Sequence, residues 1–334
     1  MIDMNISISG ILMCCDESLC SLNLGRGYTI EKLELNTLFF KDKIVDGRGY
    51  LDTDYYSSQI IENEQVFFIC IKKDDVIQVD GPSFNTHKLV ISDKDCTFEN
   101  ELLQYRTKEM KFLNEQINLL RLFKSGNIGF RDVFFHCSCK ILGLIDNTIE
   151  NNTHNQTRNV ISSERFILDE SEIDLCNQWL NDYSNGPYML LENSIYEFSW
   201  GLEQIDIPTG FEQYTTALEM TLLPQNQPGK KQMLANRICA LLGSTQTEIQ
   251  QIHQKILDFY RFRSESLHDG NGSNITNSEL CELENITREV LKKCLIRCKY
   301  EYDSNSSITW NVIKENIMNE LITKVTLLKN SGIL

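Results

Sequence analysis

The spacing of apolar residues changes along this 334-residue chain, and the change bounds the folds open to it. Over the first hundred residues, β-branched and aromatic side chains recur in short alternating runs. These are Met4-Asn-Ile-Ser-Ile-Ser-Gly-Ile11, Gln65-Val-Phe-Phe-Ile-Cys-Ile71 and His87-Lys-Leu-Val-Ile-Ser92. A two-residue period fits strands. Short runs at Leu38–Phe40 and Gln78–Val79 extend the pattern, and Arg131 to Gly143 reads as one more strand. Between Glu99 and Lys124 the spacing switches to three and four, with Leu103, Met110, Leu113, Ile117 and Leu120 in one stripe. That stripe predicts a long helix packed on a neighbour, or less simply a short partner seam. Gly25-Arg26-Gly27 is too short for a phosphate-binding loop, which needs Gly-x₄-Gly-Lys-Ser/Thr, and predicts a turn.

A polar, Asn/Thr-rich stretch from Asn147 to Glu164 has no apolar period and reads as a linker. Beyond it, helical spacing runs through Asp169–Tyr183, Ser194–Leu223, Lys230–Leu242, Thr245–Leu267, Thr276–Tyr302 and Trp310–Lys329, with an interruption at Pro208-Thr-Gly210. The expected fold class is therefore α+β. A β-rich domain with one long helix spans 1–150, and an all-α bundle spans 165–334.

Composition, 41% hydrophobic and 24% charged, is ordinary for a globular chain. No apolar run approaches the roughly 18 residues of a membrane span, so no membrane partner is expected. Twelve cysteines without a basic segment behind Met1 point to reduced thiols in a cytoplasm. His136, Cys137 and Cys139 form the one cluster resembling metal ligands. Alternation sets the two thiols on one strand face and the histidine on the other, and no second pair stands nearby. Cys14, Cys15 and Cys20 could join only through tertiary approach. Buried thiols acting as small hydrophobes are the expectation, as for Cys294 and Cys298 on one helix face. No metal and no other cofactor is expected.

Chemistry is best sought in Tyr260-Arg-Phe-Arg-Ser-Glu-Ser-Leu-His-Asp-Gly270, where Arg263 precedes His268 by five residues. Histidine can give and take a proton near neutrality, and arginine is a permanent cation matched to phosphate oxygens. Such a pair suits cleavage of RNA, in which the 2′-hydroxyl attacks its own phosphate without metal. A histidine that merely caps a packed helix would leave the same spacing. Positions five apart lie about 140° apart around a helix, so the helix must end or bend, or the arginine must reach around. Asp269, Gly270 and Gly272 predict an end just after His268. A net charge of −15 argues against a broad nucleic-acid-binding surface. Between Gly229 and Gly270, however, Lys230, Lys231, Arg237, Lys255, Arg261 and Arg263 outnumber Glu248, Asp258, Glu265 and Asp269.

Three segments occur in order here: Tyr214-Thr-Thr-Ala-Leu-Glu-Met-Thr-Leu-Leu-Pro224, Lys231-Gln-Met-Leu-Ala-Asn-Arg-Ile-Cys-Ala-Leu-Leu-Gly243, and the Tyr260 to Gly270 stretch. Together, over about Phe211 to Gly270, they resemble the HEPN family, most closely its ApeA-like branch. The resemblance implies an all-helical domain that dimerises and, in many members, cleaves RNA without metal. Arg263 and His268 would match the Arg-x₄₋₆-His signature, with Ser264 at the polar position after arginine. Asp269 stands where the family often has glycine. Glu219 and Arg237, among apolar neighbours in the first two segments, are expected as a mutual or capped ion pair that fixes helix packing. The function implied is an endoribonuclease acting on tRNA or mRNA, a bacterial toxin or abortive-infection effector against phage, with a homodimer sharing two His268 side chains. The amino-terminal domain would meet a trigger or regulatory partner. The alternative is a non-catalytic dimeric module that binds a protein or nucleotide.

Overall fold

The computed structural model describes residues 2–46, 50–52, 58–79, 95–138, 145–146, 149–150, 165–204, 206–224, 228–269 and 275–334. An antiparallel sheet is followed by a helical region, an α+β architecture. In chain order the elements are β1 (Ile2–Met13), β2 (Thr29–Glu34), α1 (Lys41–Ile44), β3 (Ile60–Glu62), β4 (Gln65–Val79), α2 (Asp95–Phe123), β5 (Gly129–Ser138), β6 (Ile145–Asp146) and β7 (Ile149–Glu150). Helices α3 (Glu170–Tyr183), α4 (Gly186–Glu203), α5 (Ile207–Leu222), α6 (Lys230–Leu242), α7 (Gln246–Asp269), α8 (Asn277–Ser304) and α9 (Trp310–Asn330) follow. The chain divides into two compact units. The first comprises 1–117, 126–157 and 164–181, and the second 118–125, 158–163 and 182–334. Residues 165–181, expected with the helical bundle, thus cluster with the sheet.

In the first unit the strand order is β2-β4-β1-β5-β6, with β3 beside β4 and β7 beside β5. The long β1 and β4 pair antiparallel from Ile2↔Val79 to Ile11↔Cys70, and a register shift interrupts the β1–β5 ladder between Gly10 and Leu12. Both sheet faces are covered, which explains the consecutive Phe134-Phe135 in β5. Phe135 lies beneath the Arg106 guanidinium of α2 at 5.8 Å, while Phe134 stacks on Phe40 at 4.0 Å in a cluster with Ile11, Leu38, Ile44 and Phe68. On the α2 side, Lys73 donates to Glu109 at 3.0 Å and pairs with Asp75 at 3.0 Å. Tyr28 and Tyr105 donate to the same two carboxylates. A buried lysine with two carboxylates and two phenols is a satisfied network.

Most of the expected elements appear, with informative differences. The apolar triplet Leu38–Phe40 is no strand. It is a turn after a short 3₁₀ segment, and its Leu38 and Phe40 side chains are buried in that cluster. The expected strand at His87–Ser92 lies outside the described residues, as does all of 147–164 except β7. Gly25, Arg26 and Gly27 do form a turn, all three with positive φ. In the α2 stripe Met110, Leu113, Ile117 and Leu120 are buried, whereas Leu103 is 54% exposed.

In the second unit α4 packs on α5 and α8, α5 on α8, and α6 on α7 and α9. The helical span Ser194–Leu223, expected to be interrupted at Pro208-Thr-Gly210, is broken a little earlier, between Glu203 and Ile207, into two helices. Asp206 caps the second by accepting from the Thr209 amide at 2.9 Å, and Pro208 sits in its first turn, where a missing N–H costs nothing. The same device, Pro187 in the first turn, opens α4 eight residues before the expected start. Tyr214 of α5, fully buried, donates to Glu284 of α8 at 3.4 Å, and Glu284 pairs with Arg288 at 2.5 Å. Among the described residues no helix is long and apolar enough to cross a membrane.

The α4–α5 approach depends on a glycine. A Cβ on Gly201 would fall 2.5 Å from Tyr214 Cε1, so the aromatic ring occupies the space that any other residue would fill. In an open helix Gly→Ala would stabilise by about 1 kcal/mol. Here Gly201→Ala is expected to destabilise by about 1–3 kcal/mol, as overpacking does. Urea unfolding should show a lower midpoint with an unchanged slope.

Candidate active site

Three helices of the second unit meet at one carboxylate. Glu219, on α5, accepts from Arg263 Nη1 at 3.0 Å and from the Tyr260 hydroxyl through Oε1, and from Lys230 Nζ at 3.3 Å through Oε2. Tyr260 and Arg263 are three apart on α7, which places them on one face. The guanidinium stands 5.8 Å from the Tyr260 ring centroid, and its Nη2 lies 4.0 Å from Glu212, two turns earlier on α5. Its Nε is buried without a hydrogen-bond partner among the described residues. Burial, followed by the bond to Glu219, pushes the Tyr260 phenol above its ordinary range.

The sequence-predicted site residues separate into three groups. Arg263 and Glu219 come together. Arg237 is elsewhere: 6% exposed, it donates from Nη1 to the Leu222 carbonyl at 2.5 Å, at the carboxyl end of α5. The expected ion pair of Arg237 with Glu219 is not formed: Glu219 pairs with Arg263, and Arg237 bonds a carbonyl at the end of α5. Burial lowers the Arg237 pKa. Ser264 is exposed on the next position of α7. The helix runs unbroken through His268 to Asp269, the last described residue of this stretch, and Gly270 and Gly272 lie outside the described residues. The side chains of His268 and Asp269 lie outside the described residues. With no break between them, positions 263 and 268 stand about 140° apart around one helix axis.

The local surplus of cations is mostly compensated. Lys255 pairs with Glu282, and Arg261 lies 3.4 Å from Asp258 and 3.8 Å from Glu265. Glu212, Glu219 and Glu282 come from outside the window in which cations outnumbered carboxylates. Sequence reasoning gave Tyr260 no role, although its spacing from Arg263 was the available signal.

Two further histidines have plain settings. His253 Nε2 lies 3.0 Å from Asn236 Oδ1 and 2.7 Å from Gln232 Nε2, so α6 holds it by two amides. Burial and then Lys329 lower its pKa. His136 lies 5.7 Å from the Phe39 ring, Cys137 is buried, and Cys139 falls outside the described residues. No group of three His, Cys, Asp or Glu among the described residues could hold a metal ion. Burial raises Cys298 to about 12, which suits an inert thiol.

Replacing Glu219 with Gln keeps the shape and removes the charge. The Tyr260 phenol should then titrate nearer its ordinary value of about 10, read as the alkaline ultraviolet difference between Glu219→Gln and Glu219→Gln/Tyr260→Phe. For His253 the folded pKa is depressed, so the unfolded chain takes the proton first as pH falls below about 6.5. Its contribution to stability is present above that pH and lost as pH drops through the folded value. Denaturation midpoints of His253→Gln should accordingly fall less between pH 7 and 5 than those of the wild type.

No family model matches the chain, no curated protein matches it, and no solved structure matches it.

Proposed function

We propose that the helical unit is a metal-independent endoribonuclease of the HEPN kind, working as a homodimer in the cytoplasm. The observation that carries this reading is the placing of Arg263. Glu219 fixes its guanidinium against α5, five positions before a histidine in the last turn of the same helix. A carboxylate that orients an arginine while leaving other N–H groups unspent suits phosphate recognition. A helix carboxyl terminus favours imidazolium at His268.

The angular separation on one axis supports a site completed by a second copy. One His268 accepts the proton of the RNA 2′-hydroxyl, and O2′ bonds to phosphorus. The P–O5′ bond breaks, and the partner copy's imidazolium protonates the departing O5′. Products are a cyclic 2′,3′-phosphate and a free 5′-hydroxyl, with no water consumed. Arg263 balances charge on the phosphoryl oxygens. A nuclease of this kind serves as a toxin or abortive-infection effector, with the sheet-bearing unit answering to a trigger.

A second reading, a non-catalytic dimeric module, draws on one specific observation. Arg263 faces both Glu212 and Glu219, so its charge is already matched.

One experiment separates them. Purified wild type should cut single-stranded regions of a tRNA and mRNA panel in the presence of EDTA and leave cyclic phosphate ends. Arg263→Ala and His268→Ala should each lower the rate about 10²–10⁴-fold, the size of a general acid–base contribution. Equal rates in wild type and both variants, or no cleavage by any of them with candidate triggers present, would leave the binding module.

A further inference from the structure

Arg237 and Lys314 are cations that the Glu219 cluster does not use. Lys314, in the first turns of α9, donates to the Met220 carbonyl at 2.5 Å, and Arg237 to the Leu222 carbonyl. Neither meets a carboxylate within ion-pair distance among the described residues. Burial and then the adjacent Arg237 depress the Lys314 ammonium pKa. Two partly desolvated positive charges held only by carbonyl dipoles are an arrangement that an anion would improve.

A cavity of about 390 Å³ opens over Lys314, lined by α4, the end of α5, Lys230 and the start of α9, and Arg237 is not on its wall. Ligand pockets run from about 300 to 1,000 Å³. Lys314 and Lys230 lie on its wall, and Trp310 and Asn311 bring the first turn of α9 to it. The N-cap of that helix, Thr309, makes no side-chain cap bond, so the wall also carries open backbone N–H groups. Leu223 and Pro224 supply apolar surface. The carboxylates Glu192 and Glu219 line it as well, which disfavours a bare anion and favours a ligand that turns hydroxyl donors toward them.

We infer that this cavity binds a nucleoside monophosphate, its phosphate on Lys314 and Lys230, its ring against the Trp310 indole and its sugar hydroxyls toward Glu192, Asn193 and Asn311. Each part matches one chemistry on the wall: a dianion for two ammonium groups, a planar base for an indole face, and a diol for carboxylate and amide oxygens. The inference does not rest on the nuclease reading, since neither Arg263 nor His268 takes part. It adjoins that site, because Glu219 lines the cavity and pairs with Lys230. A phosphate that draws Lys230 away leaves Glu219 to Tyr260 and Arg263 alone.

The test is calorimetric titration of the full chain with AMP, UMP, adenosine and inorganic phosphate, with no RNA present. AMP and UMP should bind saturably, each at least about tenfold tighter than adenosine or phosphate. Lys314→Met and Trp310→Ala should each weaken AMP by about tenfold or more, with circular dichroism and urea midpoints showing both variants folded. A milder Trp310→Phe, which keeps a ring, should retain most of the affinity. Competition by a 5′-phosphorylated trinucleotide would identify a strand end as the natural source, and failure to compete would identify the free nucleotide. Absence of saturable AMP binding at millimolar concentration, phosphate binding as tight as AMP, or variants that bind as wild type would each overturn the inference. None of these outcomes depends on whether the protein cleaves RNA.

Discussion

The arrangement of α5, α6 and α7 turns on one carboxylate with more donors than a single pairing requires. Glu219 takes a phenol, a guanidinium and an ammonium, each from a different point on two other helices. Charge-assisted bonds are the stronger class, and a partly buried acceptor surrounded by donors holds its geometry better than an isolated surface pair. Glu219 follows Tyr214 along α5, whose hydroxyl reaches Glu284 on α8. The same helix thus ties to α8 by a neutral donor and to α6 and α7 by a charged acceptor, and the pose of Arg263 inherits the rigidity of that frame.

Much of this was legible in the chain, and the limits have identifiable causes. Period-two runs gave β1 and β4, and the 3.6-residue stripe gave α2, because burial on one face imposes those periods directly. The β5 segment broke the alternation with Phe134 and Phe135, since a strand covered on both faces has no polar side to display. Leu38–Phe40 misled for the opposite reason: three apolar residues are too few to carry any period, and a turn buried them as well as a strand would. The split between α4 and α5 was signalled by Asp206 two residues before Pro208, a capping pattern readable as a start rather than as an interruption.

The candidate site was only half legible. Arg263 and its helix were local facts, so spacing revealed them. The partnership of Arg263 with Glu219 spans 44 positions and leaves no periodic trace, while Arg237, near in sequence to the same cluster, went to a carbonyl instead. Charge counting within a window also overestimated the free cations, because the compensating Glu212, Glu219 and Glu282 arrive from helices outside it. Arg237, named within the second motif segment, keeps its charge without a carboxylate, as does Lys314, which no motif indicated.

Gly201 carries a mechanical implication. With the Tyr214 ring seated where a side chain would stand, α4 cannot slide along α5 without first expelling an aromatic group from its notch. The two helices therefore shift, if at all, as one rod pair. A molecule pressing on the Met189–Ser194 stretch of α4 would push the same body that carries Glu219, which faces the same cavity, so occupancy there becomes posture of the carboxylate.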